Sequence, residues 1–403
     1  MSVERVGVVG AGTMGSGIAQ IACLGGYETR LHDPIPEALD AGVERMHAAL
    51  SKGTERGRWS EADAEAASTR LSPAPSLGDL AGCDLVIEAA PEDLELKREL
   101  FASLAEACGP ETILASNTSS LPVTAIATGI PHRERVVGMH FFNPPALMKL
   151  VEVVFTSESS PEALDATTEV GTRMGRTPIR AKDSPGFIAN RLARPYTLES
   201  LRMLADGVAD VETIDRVCRL GGGFKMGPFE LIDLIGLDVN LSVARSFYAQ
   251  GGEPERWRPS PIQECLVAEG RLGRKSGQGF YDYGEEESSP ASAVPLPRYM
   301  QQRNSGTGRP TLDPDELAEI DPAAPEILPR LVAQIANEAA FALEEEIGSP
   351  TDMDTAMRLG FNWPLGPLEF TDLIGAERAL EILEALREQH GDAYAPAPRL
   401  RAG

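Results

Sequence analysis

Through the first part of the chain, short apolar runs alternate with stretches whose apolar residues recur at helical spacing. Residues 5–10 (RVGVVG) predict a strand running into glycines, and 15–25 predict a helix. Residues 28–33 (ETRLHD) predict a second strand that ends in aspartate. Over 37–52, Leu39, Val43, Met46 and Leu50 share one helical face. Further strands are expected at 84–88, 112–116, 135–139 and 150–154, with a helix at 92–107. Strands alternating with helices predict a parallel, doubly wound sheet.

Near residue 185 the pattern changes. Residues 186–249 read as helical without strands between them, and helical signal returns over 326–391. The intervening 284–325 is rich in Ser, Pro, Gly and Glu and predicts a linker. The tail is rich in Pro and Ala. An internal repeat spans the helical part: GPFELIDLIG at 227–236 recurs as GPLEFTDLIG at 366–375, an offset of 139 residues. The same offset aligns Glu199 with Glu338, Asp215 with Asp354, and Arg219-Leu220-Gly221 with Arg358-Leu359-Gly360. The expected architecture is an α/β Rossmann-type domain over 1–184, then two copies of an all-α domain at 185–283 and 326–403, joined by 284–325.

Composition narrows the function. A chain of 403 residues suits two or three domains. No apolar run approaches the roughly 20 residues of a membrane span. The N-terminus shows no leader pattern, so a cytoplasmic location is expected. The five cysteines are scattered without a CxxC pair and histidines number only five, which argues against a disulfide framework and against a metal site. A formal net charge of −24 argues against nucleic-acid binding. An anionic substrate would need a local basic patch to overcome that field.

Gly10-Ala11-Gly12-Thr13-Met14-Gly15 is a GxGxxG run, weak by itself. Here it follows a strand, opens a helix, and is answered by Asp33 at the end of the next strand. Gly10 permits a tight turn, Gly12 lets a pyrophosphate approach the backbone, and Gly15 allows close helix–strand packing. The helix N-terminus would supply amide donors to the phosphates. Asp33 would accept from ribose hydroxyls and repel a 2′-phosphate, which favours NAD over NADP.

Candidate chemistry clusters over 116–152: Ser116-Asn117-Thr118-Ser119-Ser120, then His140-Phe141-Phe142-Asn143-Pro144-Pro145, then Glu152. The first two clusters follow apolar strands, whose carboxyl ends bind ligands in this architecture. Oxidising an alcohol needs a base for the hydroxyl proton while hydride leaves for a nicotinamide, and histidine suits that task. Glu152 is the candidate carboxylate to fix its tautomer. Taken singly, His140 would equally suit a core histidine, Glu152 a strand-edge carboxylate and Ser116 a helix N-cap.

The chain resembles the 3-hydroxyacyl-CoA dehydrogenase family. The resemblance lies in GAGTMGSGIAQ at 10–20, EAAPEDLELKRELF at 88–101, SNTSSLPVTAIA at 116–127, HFFNPPALMKLVEVV at 140–154, KDSPGFIANR at 182–191, GPFELIDLIGLD at 227–238 and GRKSGQGFYDY at 273–283. It implies reversible, NAD-dependent oxidation of an (S)-3-hydroxyacyl-CoA to the 3-oxoacyl-CoA. It also implies His140 as general base, Glu152 as its orienting carboxylate, and Ser116 and Asn190 as donors to the substrate oxygens. Asn143 is expected at the nicotinamide end, Glu92 and Lys97 as further NAD contacts, and Lys275 as a cofactor contact from the helical part. The family has Thr where Ser184 stands, a change expected to be silent.

For the CoA end, a basic island at 51–58 (SKGTERGR) offers Lys52 and Arg56, although a solvated charge cluster would look the same. The resemblance is to the long members, and it implies that the second helical copy packs on the first as a built-in pseudo-dimer. The chain would then be a monomer, with a homo-oligomer as the alternative. A free sugar-acid dehydrogenase on the same scaffold would keep NAD and His140 without a CoA site, and a non-catalytic relative would have lost part of the site. A fused hydratase is not expected, since the chain starts at the first strand. The acyl group is left open between hydroxybutyryl and the dicarboxylic hydroxyadipyl.

Overall fold

The computed structural model describes residues 2–284, 294–295 and 310–402. They divide into two compact units, Met1–Phe187 and Ile188–Gly403.

The first unit is built on β1 (Arg5–Val9), α1 (Thr13–Leu24), β2 (Glu28–His32), α2 (Pro36–Glu55), α3 (Glu61–Arg70), β3 (Leu71–Ala74), β4 (Leu85–Glu88), α4 (Leu94–Ala107), β5 (Ile113–Ser116), α5 (Val123–Ile126), β6 (Val136–Phe141), β7 (Leu150–Phe155), α6 (Pro161–Arg173) and β8 (Thr177–Lys182). The sheet order is β3-β2-β1-β4-β5-β6-β7-β8. Strands β1, β4, β5 and β6 are buried along nearly their whole length, as strands covered by helices on both faces must be. The side chains of Val6, Val8, Ile87, Ala115, Val137 and Val153 form one core with those of α1, α2 and α6.

The sheet is not wholly parallel, as the strand–helix alternation predicts. β7 runs antiparallel to β6, and β8 is parallel to β7. The physical reason is the short 142–149 connection: a parallel partner needs a crossover of a dozen or more residues, and no helix is available there to make one. Elements α3, β3, α6 and β8 were not expected from the sequence. α3 buries only Ala67, so it shows almost no apolar stripe.

The second unit contains α7 (Ala189–Ala205), α8 (Val211–Leu220), α9 (Pro228–Ile235), α10 (Leu237–Gln250), α11 (Pro261–Ala268), β9 (Tyr281–Asp282), β10 (Val294–Pro295), α12 (Pro314–Ile320), α13 (Ala324–Glu344), α14 (Pro350–Gly360), α15 (Pro367–Ile374), α16 (Ala376–His390) and α17 (Pro398–Ala402). The expected linker 284–325 lies partly outside the described residues, but it is not all irregular. Asp313 caps α12 by accepting from the Asp315 and Glu316 amides, and α12 buries Leu317 completely. No described helix is long and apolar enough to cross a membrane.

Positions 139 residues apart make the same contacts. Arg191 Nε donates to Glu338 and its Nη atoms to Glu345; Arg330 Nε donates to Glu199 and its Nη2 to Asp206. Asp215 accepts from the Phe229 and Glu230 amides, and Asp354 from the Leu368 amide. Gly227 and Gly366 leave room for those carboxylates, because a Cβ at either would sit about 2 Å from the aspartate side chain.

Candidate active site

The carboxyl ends of β1, β2, β4, β5 and β6 lie along one edge of the sheet, and because β7 runs the other way its beginning lies there too. The Gly-rich turn follows β1. Gly10 has φ +96, and a Cβ there would meet the Ala89 carbonyl at 2.6 Å. A Cβ on Gly15 would lie 1.7 Å from the Gly10 oxygen, whereas one on Gly12 would meet nothing within 4 Å. The open space is therefore at Gly12, the N-cap of α1, whose first-turn amides have no side-chain cap. That is the place a pyrophosphate would take. Asp33 accepts from the Ala11 amide at 2.9 Å and from the Ile35 amide at 3.1 Å, so the carboxylate is held beside the turn. Arg45 from α2 donates to the Ala11 carbonyl at 2.8 Å. Thr13 and Met14 begin α1. These residues fit a dinucleotide with free ribose hydroxyls.

His140 and Glu152 are direct cross-strand partners of β6 and β7, so their side chains leave the same face of the sheet. His140 Nδ1 lies 2.6 Å from Glu152 Oε2, and both residues are buried, Glu152 completely. With Nδ1–H donating to the carboxylate, Nε2 keeps its lone pair for the substrate. The Phe142 and Phe187 rings lie 4.5 and 5.9 Å from the imidazole and keep its surroundings apolar. The Phe141 amide donates to Asn117 Oδ1, tying the end of β6 to the loop after β5. Asn143 is exposed in the following loop, at a cis bond to Pro144.

A second buried network was not anticipated. Glu88, the last residue of β4 and fully buried, accepts from Lys97 Nζ at 2.6 Å, Ser116 Oγ at 2.6 Å and the Ala90 amide at 2.6 Å. Ser116 ends β5 and caps no helix; its hydroxyl proton is directed at Glu88. Lys97 is 1 % exposed, so its ammonium is held by Glu88 inside the unit. A charged residue closing the apolar run DLVIE was the available signal. Glu92 gathers the polar loop, accepting from the Thr118 hydroxyl at 2.7 Å and the Ser119 and Ser120 amides at 3.0 and 3.1 Å. Burial pushes its carboxyl up, but the Thr118 hydroxyl and the Lys97 charge outweigh that and hold it below the usual range.

Lys52 and Arg56 are exposed at the end of α2, beside a turn where Trp59 packs on Gly53. Asn190 lies in the helical unit in the first turn of α7. Lys275, in the same unit, pairs with Asp238 at 2.5 Å. The described residues contain no cluster of metal-ligating side chains.

Comparison with known proteins bears on the same features. Residues 5–184 match the family model of the 3-hydroxyacyl-CoA dehydrogenase NAD-binding domain. Residues 186–283 and 327–402 match that of the 3-hydroxyacyl-CoA dehydrogenase C-terminal domain. The chain is 38 % identical to the 3-hydroxyadipyl-CoA dehydrogenase of Escherichia coli (strain K12), over all of this chain and 97 % of that one. It is 42 % identical to a probable 3-hydroxybutyryl-CoA dehydrogenase of Bacillus subtilis, whose full length covers 72 % of this chain. A crystal structure of 3-hydroxybutyryl-CoA dehydrogenase from Escherichia coli K12 superposes with a TM-score of 0.88 at 37 % identity, over all of this chain and 98 % of that one.

Proposed function

The chain belongs to the 3-hydroxyacyl-CoA dehydrogenase family of NAD-dependent oxidoreductases, and from that premise we propose that it interconverts an (S)-3-hydroxyacyl-CoA and its 3-oxoacyl-CoA with His140 as the base. The observation that carries the proposal is the buried His140–Glu152 pair at the sheet edge that also bears the Gly12 turn. NAD, bound at that turn, supplies the hydride acceptor. His140 Nε2 takes the proton of the C3 hydroxyl as the C3 hydride departs and the carbonyl forms. Glu152 holds the imidazole in the required tautomer and stabilises the imidazolium that results. Asp33 receives the ribose hydroxyls. The Ser116 hydroxyl, turning its single proton from Glu88 to the substrate, and Asn190 donate to the substrate oxygens, while Asn143, Glu92, Lys97 and Lys275 shape the cofactor site. Lys52 and Arg56, exposed cations in an acidic protein, take the CoA phosphates.

The helical unit is a duplication. The reciprocal pairs Arg191–Glu338 and Arg330–Glu199 support a pseudo-two-fold arrangement in which the second copy covers an apolar face of the first and the chain works as a monomer. Five free cysteines accord with a cytoplasmic location.

The experiment is NADH oxidation by the purified protein with acetoacetyl-CoA, beside His140→Gln. Rapid oxidation that collapses in the variant is the expected result. Equal rates in both would overturn the role of His140, and activity with free hydroxy acids but no CoA thioester would overturn the substrate class. Native mass of a dimer joined through α7 would overturn the pseudo-dimer.

A further inference from the structure

Register sets Glu88 of β4 opposite Ser116 of β5, and Ser116 opposite Gly138 of β6. Paired residues on neighbouring strands share a face of the sheet, and alternate residues along a strand return to it. Glu88, Ser116 and His140 therefore leave the same face, and Glu152 joins them as the partner of His140.

Glu88 divides its two oxygens between two tasks. Oε1 accepts from Lys97 Nζ and from the Ala90 amide, both at 2.6 Å, and Oε2 accepts from the Ser116 hydroxyl at 2.6 Å. Ser116 Oγ also accepts from the Thr118 amide at 3.3 Å, a longer and weaker hold. The bond to Glu88 is charge-assisted, so it decides where Oγ sits. A fully buried carboxylate is costly, and pairing with Lys97 occupies only its Oε1 side. The same division lets the serine act. When its proton turns to a substrate oxygen, Oε2 loses a donor, but Oε1 keeps Lys97 and the Ala90 amide. A buried carboxylate without those donors would be stranded by the turn and would oppose it.

We propose that Glu88 is a positioning residue for the reaction: it seats the Ser116 hydroxyl at the carboxyl end of β5, on the face that carries His140, and releases its proton to the substrate oxygen. The inference rests on the dehydrogenase reading above, in which Ser116 donates to that oxygen.

The test is the order of two conservative variants. Glu88→Asp keeps the charge beside Lys97 but shortens the side chain by one C–C bond, about 1.5 Å, which carries the oxygens out of reach of Ser116. Glu88→Gln keeps the length and loses the charge. Its oxygen must face Lys97 and the Ala90 amide, both donors, so its amide nitrogen falls on Ser116 Oγ and a reversed, neutral hydrogen bond holds the seat. With acetoacetyl-CoA and saturating NADH, Glu88→Asp should lose about 10- to 100-fold in kcat, the range of a hydrogen bond to a charged group, with KM within about threefold. Glu88→Gln should lose less, about three- to tenfold, although it should melt below Glu88→Asp because Lys97 has lost its carboxylate. In a Ser116→Ala background, Glu88→Asp should cost less than about threefold more, since the seat is then empty. The reverse order, with Glu88→Gln far slower than Glu88→Asp, would leave Glu88 as the counter-ion of Lys97 alone and overturn the proposal. A Glu88→Asp loss that persists in full in the Ser116→Ala background would overturn it too, as would wild-type kcat in both variants. Should Glu88→Gln fail to fold, Glu88→Met combined with Lys97→Met removes the pair without stranding a charge, and wild-type kcat in that protein would be equally fatal. A wild type inactive on 3-oxoacyl-CoA thioesters would instead sink the dehydrogenase reading on which the inference stands.

Discussion

Replacing Glu152 by Gln tests the reasoning about the site most directly. The two side chains are nearly equal in volume, so packing at this fully buried position is preserved while the charge is lost. The carboxylate oxygen lies 2.6 Å from His140 Nδ1. Centre to centre, the imidazolium and carboxylate charges are about 4 Å apart, which at an effective dielectric constant of about 20 corresponds to about 4 kcal/mol. That attraction exists only once His140 has taken the substrate proton, so it acts on the transition state and hardly on binding. At about 1.4 kcal/mol per tenfold, kcat should fall about 1000-fold while KM stays within about threefold. A glutamine that turns its amide nitrogen toward Nδ1 would also favour the wrong tautomer, adding to the loss. Steady-state NADH oxidation measures both constants, and NADH fluorescence titration checks that the cofactor site is intact. A loss of less than about tenfold in kcat would refute the electrostatic argument and leave Glu152 as a packing residue. A rise in KM at unchanged kcat would refute it as well, because the carboxylate would then act equally on ground and transition states.

Other consequences follow from single contacts. Gly12→Ala should leave the melting temperature unchanged, since its Cβ meets no atom within 4 Å, yet weaken NADH binding at least about tenfold, or about 1.4 kcal/mol; Gly15→Ala, with a Cβ 1.7 Å from the Gly10 oxygen, should instead destabilise the fold by about 3 kcal/mol. Equal behaviour of the two would contradict the assignment of the open space to the cofactor. Arg191→Met and Arg330→Met should each cost about 1–3 kcal/mol in urea unfolding, within about 1 kcal/mol of one another, because each takes one cation from a buried glutamate that keeps other donors, Arg256 and Trp257 on Glu338 and Arg202 and Tyr394 on Glu199; a markedly unequal pair would argue against a pseudo-two-fold design. Burial pushes the Asp215 carboxyl up to about 8, so between its usual range and that value the folded chain holds a proton the unfolded chain releases. Its contribution to stability is therefore complete at acid pH and is lost as pH rises toward about 8, at no more than about 1.4 kcal/mol per pH unit. Asp215→Asn should flatten that part of the unfolding profile, and identical pH slopes in the two proteins would rule the effect out.

Much of the sheet was legible because its strands are buried on both faces and appear as short apolar runs closed by glycine or a polar residue. Direction was not. β7 (LVEVVF) has the same composition whichever way it runs, and only the brevity of the 142–149 connection separates a hairpin from a crossover. β3 (LSPA) carries a proline tolerable only at an edge, and β8 (TPIRAK) exposes alternate residues, so neither resembles its buried neighbours. In the site, the pairing of His140 with Glu152 could be anticipated as chemistry, but their face-to-face register depends on that reversed strand. Glu88 was overlooked because a lone glutamate after an apolar run usually marks the end of a strand. Its meaning comes from Lys97 and Ser116, which the fold brings to it from two other elements.

Charge placement inside the molecule explains why these particular residues stand apart. Each buried carboxylate or cation described in the fold is costly alone and is retained with its partner: Glu88 with Lys97, Glu152 with His140, Arg191 with Glu338 and Arg330 with Glu199. Two of these pairs tie α7 to α13 within the second unit. Glu88 and Glu152 stand at the carboxyl-end edge of the sheet, and each presses on a group with chemical work, the Ser116 hydroxyl or the His140 imidazole. A pair whose partner is itself reactive orients and polarises it, whereas a pair of inert partners only fixes register.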